Sequence, residues 1–308
     1  MSALLLLAAA TAAPAVAAAP GPDWQLVWAD EFDGAALDPA KWTLADDCWG
    51  GGNNERQCYT PDPANHRVAG GQLEIVARKE RHTGPAFPLA QRDTPAKRLA
   101  TASKPFTSAR LSTTGLAAWR YGRVEIRARF PQGQGTWPAA WMLPEDWKEG
   151  AWPRSGEIDI VEAVNLSTPC KDCRGGKENH VLGTIHFGNL PPRNRHLGLS
   201  TQLTGPADGW HTYAIEWSPA AIAWFVDGRR YETRSAREWR VPGVGTGRAP
   251  FDKPFHLILN LAIGGGLAES RNLKGVAEGG FPKTMAVDWV RVWQKPGPGD
   301  KPAAATGN

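Results

Sequence analysis

Short runs of alternating apolar and polar residues, separated by Gly, Pro, Asn and Asp, occupy nearly the whole chain. In Gly122–Arg129, Val124 and Ile126 fall on one face of a strand, and charged residues fall on the other. The pair Asp227-Gly228 lies between two such runs and is a strong signal for a hairpin turn. No stretch shows a helical period over three turns. The pattern predicts an all-β sandwich of antiparallel strands.

The two ends of the chain differ from the rest in composition. Residues 1–19 have no charged side chain, a short Leu/Ala run and several small-x-small sites, which is typical of a secretory signal peptide cleaved after Ala17 or Ala19. No Lys or Arg precedes the apolar run. A buried Ala-rich helix is the alternative, but Pro14 interrupts it, and the segment is too short for a membrane span. Residues 296–308 predict a disordered tail.

We therefore expect one folded domain over residues 20–295, a size that a single β-sandwich can fill. The exported protein would be secreted or periplasmic, with no membrane association once the signal is removed. Its formal net charge of +4 is mild and its arginines are scattered, so the sequence does not indicate a nucleic-acid partner. We expect a monomer.

The four cysteines form two close pairs, Cys48/Cys58 and Cys170/Cys173. In an exported protein each pair is a candidate disulfide that closes a small loop. A zinc site built from two Cys-x-x-Cys units would need the short spacing twice, and only the second pair has it. A redox motif is disfavoured because no βαβ pattern surrounds that pair.

The aromatic composition gives the first indication of function. Fifteen Trp stand against nine Phe and four Tyr. Burying Trp completely is costly because its indole N–H requires a partner, although some of these residues belong to the core. In an exported protein a surplus of Trp also suits flat surfaces on which sugar rings stack.

Three acids occur within the strand-like segment 157–162, which reads EIDIVE. On a regular strand Glu157 and Asp159 share one face, whereas Glu162 falls on the apolar face with the isoleucines. An unpaired carboxylate buried there would cost several kcal/mol. A β-bulge near Ile160-Val161 removes this conflict, because one extra residue switches the parity and brings all three acids to one face.

Such a face suits glycoside hydrolysis with retention of configuration, which needs two carboxyl groups across the scissile bond. One must be ionised to attack the anomeric carbon, and the other must be protonated to donate to the leaving oxygen. Asp159, between the two glutamates, could share a proton with them. A solvated acidic face of an edge strand and a calcium site are the alternatives.

Eight motifs in order resemble those of glycoside hydrolase family 16, in its laminarinase branch of endo-β-1,3-glucanases. The resemblance covers most of the chain and implies a β-jelly-roll of two curved antiparallel sheets with a concave glycan cleft. The extra residue before Glu162 resembles the bulged laminarinase pattern, which lichenases and xyloglucan transferases usually lack. The motifs occupy residues 30–32, 53–59, 121–125, 135–143, 152–162, 183–188, 259–265 and 288–292.

By motif position, the resemblance implies that Glu157 is the nucleophile, Glu162 the acid/base and Asp159 an assisting carboxylate. It also implies a set of substrate-binding residues. These are Trp137, Trp141, Trp152, His186, Asn54, Arg110 and Asn260.

No cofactor is required by this chemistry. Many relatives carry a structural calcium ion on the convex side, to which Glu31 and Asp288 could belong, since calcium prefers hard oxygen ligands. Two long loops, 83–106 and 167–178, look individual and could alter the subsites.

The prediction is therefore an endo-acting retaining hydrolase of β-1,3-glucan or mixed-linkage β-glucan. A galactan hydrolase of the agar or carrageenan type shares the bulged pattern. A non-catalytic glucan-recognition protein is disfavoured because all three acids are present. A transglycosylase would use the same covalent intermediate with a sugar acceptor in place of water.

Overall fold

The computed structural model describes residues 19–245 and 247–296. The predicted signal peptide, apart from Ala19, and the predicted tail from residue 297 onwards lie outside the described residues. Among those described, no helix has the length and apolar character needed to cross a bilayer.

Strands dominate the described chain, with only two short α-helices and two single-turn 3₁₀-helices. The α-helices are α1 (Pro95–Leu99) and α2 (Gly265–Ser270), and the 3₁₀-helices span Leu89–Gln91 and Arg174–Gly176. The strands are β1 (Gln25–Asp30), β2 (Thr43–Leu44), β3 (Gln57–Tyr59), β4 (His66–Val68), β5 (Leu73–Ala77), β6 (His82–Pro85), β7 (Thr101–Lys104), β8 (Phe106–Ser108), β9 (Arg110–Ser112), β10 (Gly122–Arg129), β11 (Thr136–Pro144), β12 (Glu157–Glu162), β13 (His180–Gly188), β14 (Asn194–Gln202), β15 (His211–Trp217), β16 (Ala221–Val226), β17 (Arg229–Ser235), β18 (Phe255–Ile263) and β19 (Lys283–Gln294).

Two large antiparallel sheets form the sandwich. One has eight strands in the order β17-β16-β15-β10-β19-β5-β4, with β1 also pairing β19. The other has seven strands in the order β14-β13-β12-β11-β18-β9-β2. The main apolar cluster draws residues from the strands of both sheets, so the core lies between them. The predicted all-β sandwich is confirmed.

Strand β10 shows how the alternating sequence produces this packing. Val124 and Ile126 are buried in the core, while Arg123 on the opposite face pairs with Glu125 and Glu216. The predicted hairpin is also present, because Asp227-Gly228 joins β16 to β17 with φ of 50° and 74°. Asp and Gly tolerate the left-handed region that such a two-residue turn needs.

The segment 83–106, predicted as a loop, has structure of its own. Strands β6 and β7 pair antiparallel, and the intervening chain contains α1, capped by the Thr94 hydroxyl. A two-stranded ribbon does not form an apolar face of its own, so its strands leave no clear alternating pattern in the sequence. This segment is also rich in Pro and Ala, which are uncommon in strands. Both predicted disulfides, Cys48–Cys58 and Cys170–Cys173, are formed.

The predicted bulge lies in β12. On one side Ala140 pairs with Val161 and Trp141 with Asp159, so Ile160 has no partner on β11. On the other side the β13 partners change from Thr184 at Asp159 to Leu182 at Glu162. The extra residue therefore restores Glu162 to the face that carries Glu157 and Asp159, as the sequence predicted.

A tryptophan from the facing sheet stabilises the bulge. The buried Trp224 of β16 donates its indole N–H to the Asp159 carbonyl oxygen at 2.8 Å. It reaches that oxygen beside Gly183, which stands opposite the bulge on β13. A Cβ on Gly183 would lie 2.2 Å from Trp224 Cδ1 and 2.5 Å from the Tyr231 hydroxyl. The absent side chain thus makes room for the indole.

We predict that Gly183→Ala lowers the free energy of unfolding by about 1–3 kcal/mol, because the added methyl group overpacks the inter-sheet contact. It should also displace Trp224 and so disturb the bulge. Chemical denaturation measures the first effect. Gly279→Ala is the matched control, because its added Cβ meets no atom within 4 Å. Equal stability of the two variants would contradict this account of the bulge.

Candidate active site

The outward face of the seven-stranded sheet, here called the cleft face, collects most of the predicted site residues. Its strand register places Arg110, Asn260, Ala139 and Glu162 in one row across four strands. Directly opposed residues in adjacent antiparallel strands have Cβ atoms about 4.5–5.5 Å apart. The row thus brings Arg110 of β9, far from Glu162 in sequence, to the same surface.

Two tryptophans hold the two glutamates. The Trp152 indole N–H donates to Glu157 Oε2 at 2.9 Å, and the Trp137 indole N–H donates to Glu162 Oε1 at 2.9 Å. Trp152 lies in the loop between β11 and β12, and Trp137 lies on β11 itself. Both indoles therefore fix carboxylates, a role that stacking alone would not require.

His186 is the cation of the cluster. It pairs with Glu157 across β12 and β13, and its Nε2 lies 3.2 Å from Asp159 Oδ2 and 3.7 Å from Glu157 Oε1. Burial alone would lower the pKa of His186, but the close contact with Asp159 and the charges of the neighbouring acids raise it to about 9. His186 is thus an imidazolium at neutral pH.

The three acids differ in what surrounds them. Burial raises the pKa of Glu157, whereas the His186 charge and the Trp152 N–H act in the opposite direction. Burial and the neighbouring charges of Glu157 and Glu162 raise the pKa of Asp159 well above its usual range. Burial raises the pKa of Glu162 and the charge of Glu157 adds to this effect, whereas the Trp137 N–H and the His186 charge act in the opposite direction. Ionising Glu157 therefore favours a proton on Glu162.

A hydrogen-bond chain supports the other side of the site. The Trp141 indole N–H donates to Asn260 Oδ1 at 2.7 Å, and Asn260 Nδ2 donates to the Tyr59 hydroxyl at 3.0 Å. That hydroxyl lies 3.4 Å from Glu55 Oε2, which also accepts from Gln57 Nε2 at 2.7 Å. The chain fixes the orientation of the Trp141 ring, over which the Arg110 guanidinium carbon lies 4.9 Å from the centroid.

Glu55, Gln57 and Tyr59 were not predicted as site residues. All three are buried, and they occupy alternate positions of one short segment. That period of two was a signal that could have placed their polar groups on one face. By contrast, the predicted Asn54 is exposed with φ of 59° in the turn before Glu55. The neighbouring Asn53 carbonyl and the Trp137 ring both surround Gly265, so the turn lies beside the cleft face.

Each of the two predicted calcium ligands is bound by an arginine. Glu31 accepts two hydrogen bonds of 2.7 Å from Arg291, and Asp288 pairs with Arg127 at 2.5 Å. Each carboxylate is thus neutralised by an arginine on the eight-stranded sheet, and neither fits a cation site in this arrangement. The sequence did not reveal these arginine partners, because they lie on adjacent strands rather than nearby in the chain.

Two other clusters have the composition of metal ligands among the described residues. Glu157, Asp159 and His186 have donor atoms within 4.8 Å of one another, as do Cys170, Cys173 and Glu178. In the first, the imidazolium already occupies the position between the carboxylates. In the second, the sulfurs are joined in a disulfide. Neither requires a metal to account for its geometry.

An all-β sandwich with a row of carboxylic acids, each glutamate bound by an indole on an open face, defines a carbohydrate-active hydrolase. The profile of "Glycosyl hydrolases family 16" matches residues 88–291, and the chain belongs to this family. It is a glycoside hydrolase, and its fold is the β-jelly-roll of that family.

Relatives with assigned activities match nearly the whole chain. The β-glucanase of Rhodothermus marinus is 41% identical over 89% of this chain and 86% of its own. The glucan endo-1,3-β-glucosidase of Cryptopygus antarcticus is 37% identical over 88% of this chain and 92% of its own. The X-ray structure of the Rhodothermus marinus laminarinase superimposes with a TM-score of 0.71 at 40% identity, covering 89% of this chain and 98% of that one.

We predict that His186→Gln moves the acidic limb of the kcat/KM profile to higher pH. The imidazolium charge lowers the pKa of Glu157, so its loss raises that pKa and leaves less ionised Glu157 at acidic pH. Activity should fall more at acidic than at neutral pH, on any polysaccharide that the wild type cleaves. His66→Gln is the control, since His66 lies on β4 of the eight-stranded sheet rather than on the cleft face. An acidic limb that stays in place, or moves to lower pH, would contradict this assignment.

Proposed function

We propose that the protein is an exported, monomeric endo-β-1,3-glucanase that cleaves laminarin-like glucans, or mixed-linkage β-glucan beside a 1,3 bond, with retention of configuration. One observation carries the chemistry: a bulged strand presents two glutamates on one face, and a separate indole N–H binds each of them. The substrate is supported by the names of the relatives, which include a β-glucanase, a glucan endo-1,3-β-glucosidase and a laminarinase.

In the first step the ionised Glu157 attacks the anomeric carbon while Glu162 transfers its proton to the glycosidic oxygen. The C–O bond to the leaving sugar breaks, and a covalent glycosyl ester forms on Glu157. The Trp152 N–H and the His186 charge favour the ionised nucleophile. Burial keeps the proton on Glu162. The negative charge of Glu157 also favours this proton, until attack on the anomeric carbon neutralises Glu157.

In the second step water replaces the leaving sugar. Esterification removes the negative charge of Glu157, so the pKa of Glu162 falls and its carboxylate can accept a proton from water. The resulting hydroxide equivalent attacks the anomeric carbon and releases Glu157. Two inversions give net retention. Asp159 lies beside His186 and close to both glutamates. Its own ionisation therefore responds to the charge on each of them during the two steps.

No cofactor takes part in these steps. The indole faces of Trp137, Trp141 and Trp152 supply apolar surfaces against which the C–H faces of glucose rings pack. Their N–H groups are committed to Glu162, Asn260 and Glu157, so each ring has a fixed orientation before substrate arrives. Such pre-orientation lowers the entropic cost of binding.

We predict that the wild type converts laminarin to short laminari-oligosaccharides, and that Glu157→Gln abolishes this conversion. The amide cannot act as a nucleophile, so the rate should fall by at least about a thousandfold. Chromatography of the products identifies the cleavage pattern, and proton NMR of the first product shows whether its reducing end has the β configuration.

Lichenan, agarose and xyloglucan serve as comparison substrates. Glu278→Gln is the matched control, because this exposed glutamate pairs only with Lys79 among the described residues. Cleavage of agarose alone would replace the substrate assignment with a galactan, and binding of laminarin without cleavage would favour a recognition protein. An α-configured first product would contradict the double-displacement mechanism.

A further inference from the structure

The loop that carries Trp152, residues 145–156 between β11 and β12, is here called the Trp152 loop. Trp152 itself is 38% exposed, yet its N–H must remain on Glu157 for the proposed chemistry. Side chains on exposed loops ordinarily sample several rotamers. The Trp152 ring contacts His186, with ring centroids 5.8 Å apart, and further contacts hold the rest of the loop in place.

A buried ion pair lies beneath this loop. Lys253, in the segment before β18, is only 2% exposed, and its ammonium bonds the Glu149 carboxylate. The Glu149 side chain is 4% exposed. Asp146 Oδ1, also in the loop, lies 3.4 Å from the same ammonium. Lysine is almost never fully buried unless it is paired. The buried Lys253 therefore requires Glu149 as its partner, which fixes the position of Glu149 in the loop.

Glu149 and Gly150 in the middle of the loop are also joined to residues near its end. The buried Ser155 hydroxyl lies 3.3 Å from Glu149 Oε2 and donates to the Gly150 carbonyl at 2.7 Å. The Arg154 Nε donates to the Glu149 carbonyl oxygen at 2.7 Å. These bonds close the turn that presents Trp152, which lies between the bonded residues.

The end of the loop is clamped against the segment that bears Lys253. Gly156 has φ of 89°, and a Cβ there would lie 2.9–3.0 Å from Pro250, Phe251 and Phe255. No other residue fits such a close approach in the left-handed region without strain. Lys253 therefore reaches Glu149 from a rigid base, and the next residue after Gly156 is the nucleophile.

We infer that the Glu149–Lys253 pair is a positioning device that holds the Trp152 indole against Glu157 and so sets the acidic limit of activity. Removing two charges from water costs free energy that an apolar pair would not. The ion pair instead holds the Trp152 loop in a single conformation. The inference rests on the proposed role of Glu157 as nucleophile.

The test uses the double variant Glu149→Gln with Lys253→Met, which removes both charges and leaves no unpaired ion buried. We expect its acidic limb of kcat/KM to move to higher pH, with at least about a tenfold loss at acidic pH, the cost of losing a hydrogen bond to a charged group. Trp152→Phe, which removes the N–H, should show the same shift. Adding the double change to Trp152→Phe should produce little further shift, because both act through one bond.

A readout that does not depend on turnover is the indole N–H resonance of Trp152, assigned by its loss in Trp152→Phe. In the wild type it should titrate with Glu157, and in the double variant it should lose that dependence. Ser155→Ala, a smaller change in the same network, gives the same two readouts if the double variant does not fold. Lys97→Gln is the matched control, since Lys97 of α1 forms an exposed pair with Asp93 at 3.0 Å, outside the Trp152 loop.

A folded double variant with an unchanged acidic limb and an unchanged Trp152 resonance would overturn the inference. A wild type that does not cleave laminarin would instead count against the proposed substrate. In that case the Trp152 resonance still decides whether the ion pair positions the indole, so the two failures are distinguishable.

Discussion

The hydrogen bond from the Trp224 indole to the Asp159 carbonyl connects the core of the sandwich to its chemistry. A bulge leaves backbone groups without ladder partners, and an unpaired carbonyl in this interior would cost free energy. Trp224 satisfies that carbonyl from the opposite sheet, and Gly183 leaves the space through which it does so. This contact between the sheets therefore stabilises the bulge in β12 that turns Glu162 to the face of Glu157 and Asp159.

The electrostatics of the site follow from this geometry. Three carboxyl groups share a face with one imidazolium, so they cannot all ionise without repulsion. The indole N–H groups of Trp152 and Trp137 and the His186 charge favour the ionised forms of Glu157 and Glu162, and the charge of Glu157 opposes a second negative charge on Glu162. Gathering these acids on one face lowers the free energy of unfolding, and a protein selected for stability alone would not do so. The buried core of the sandwich offsets this loss of stability.

Features set by local pattern were predictable from the sequence, and those set by contacts distant in the chain were not. The alternation of β10, the turn at Asp227-Gly228 and the bulge in β12 each follow from the parity of a few residues. The Trp224 contact and the Lys253 pair join separate strands and loops, so no local pattern reveals them. For the same reason, no local pattern reveals the arginine partners of Glu31 and Asp288.

The most direct test of the central claim is to trap the covalent intermediate. An activated 2-deoxy-2-fluoro-β-glucoside, extended by a 1,3-linked glucose, carries a leaving group that permits the first step, while the fluorine slows hydrolysis of the ester. Proteolysis and tandem mass spectrometry of the labelled protein then locate the sugar. The account predicts a single label on Glu157. A label on Glu162 or Asp159 would contradict the assignment of the nucleophile on the bulged strand.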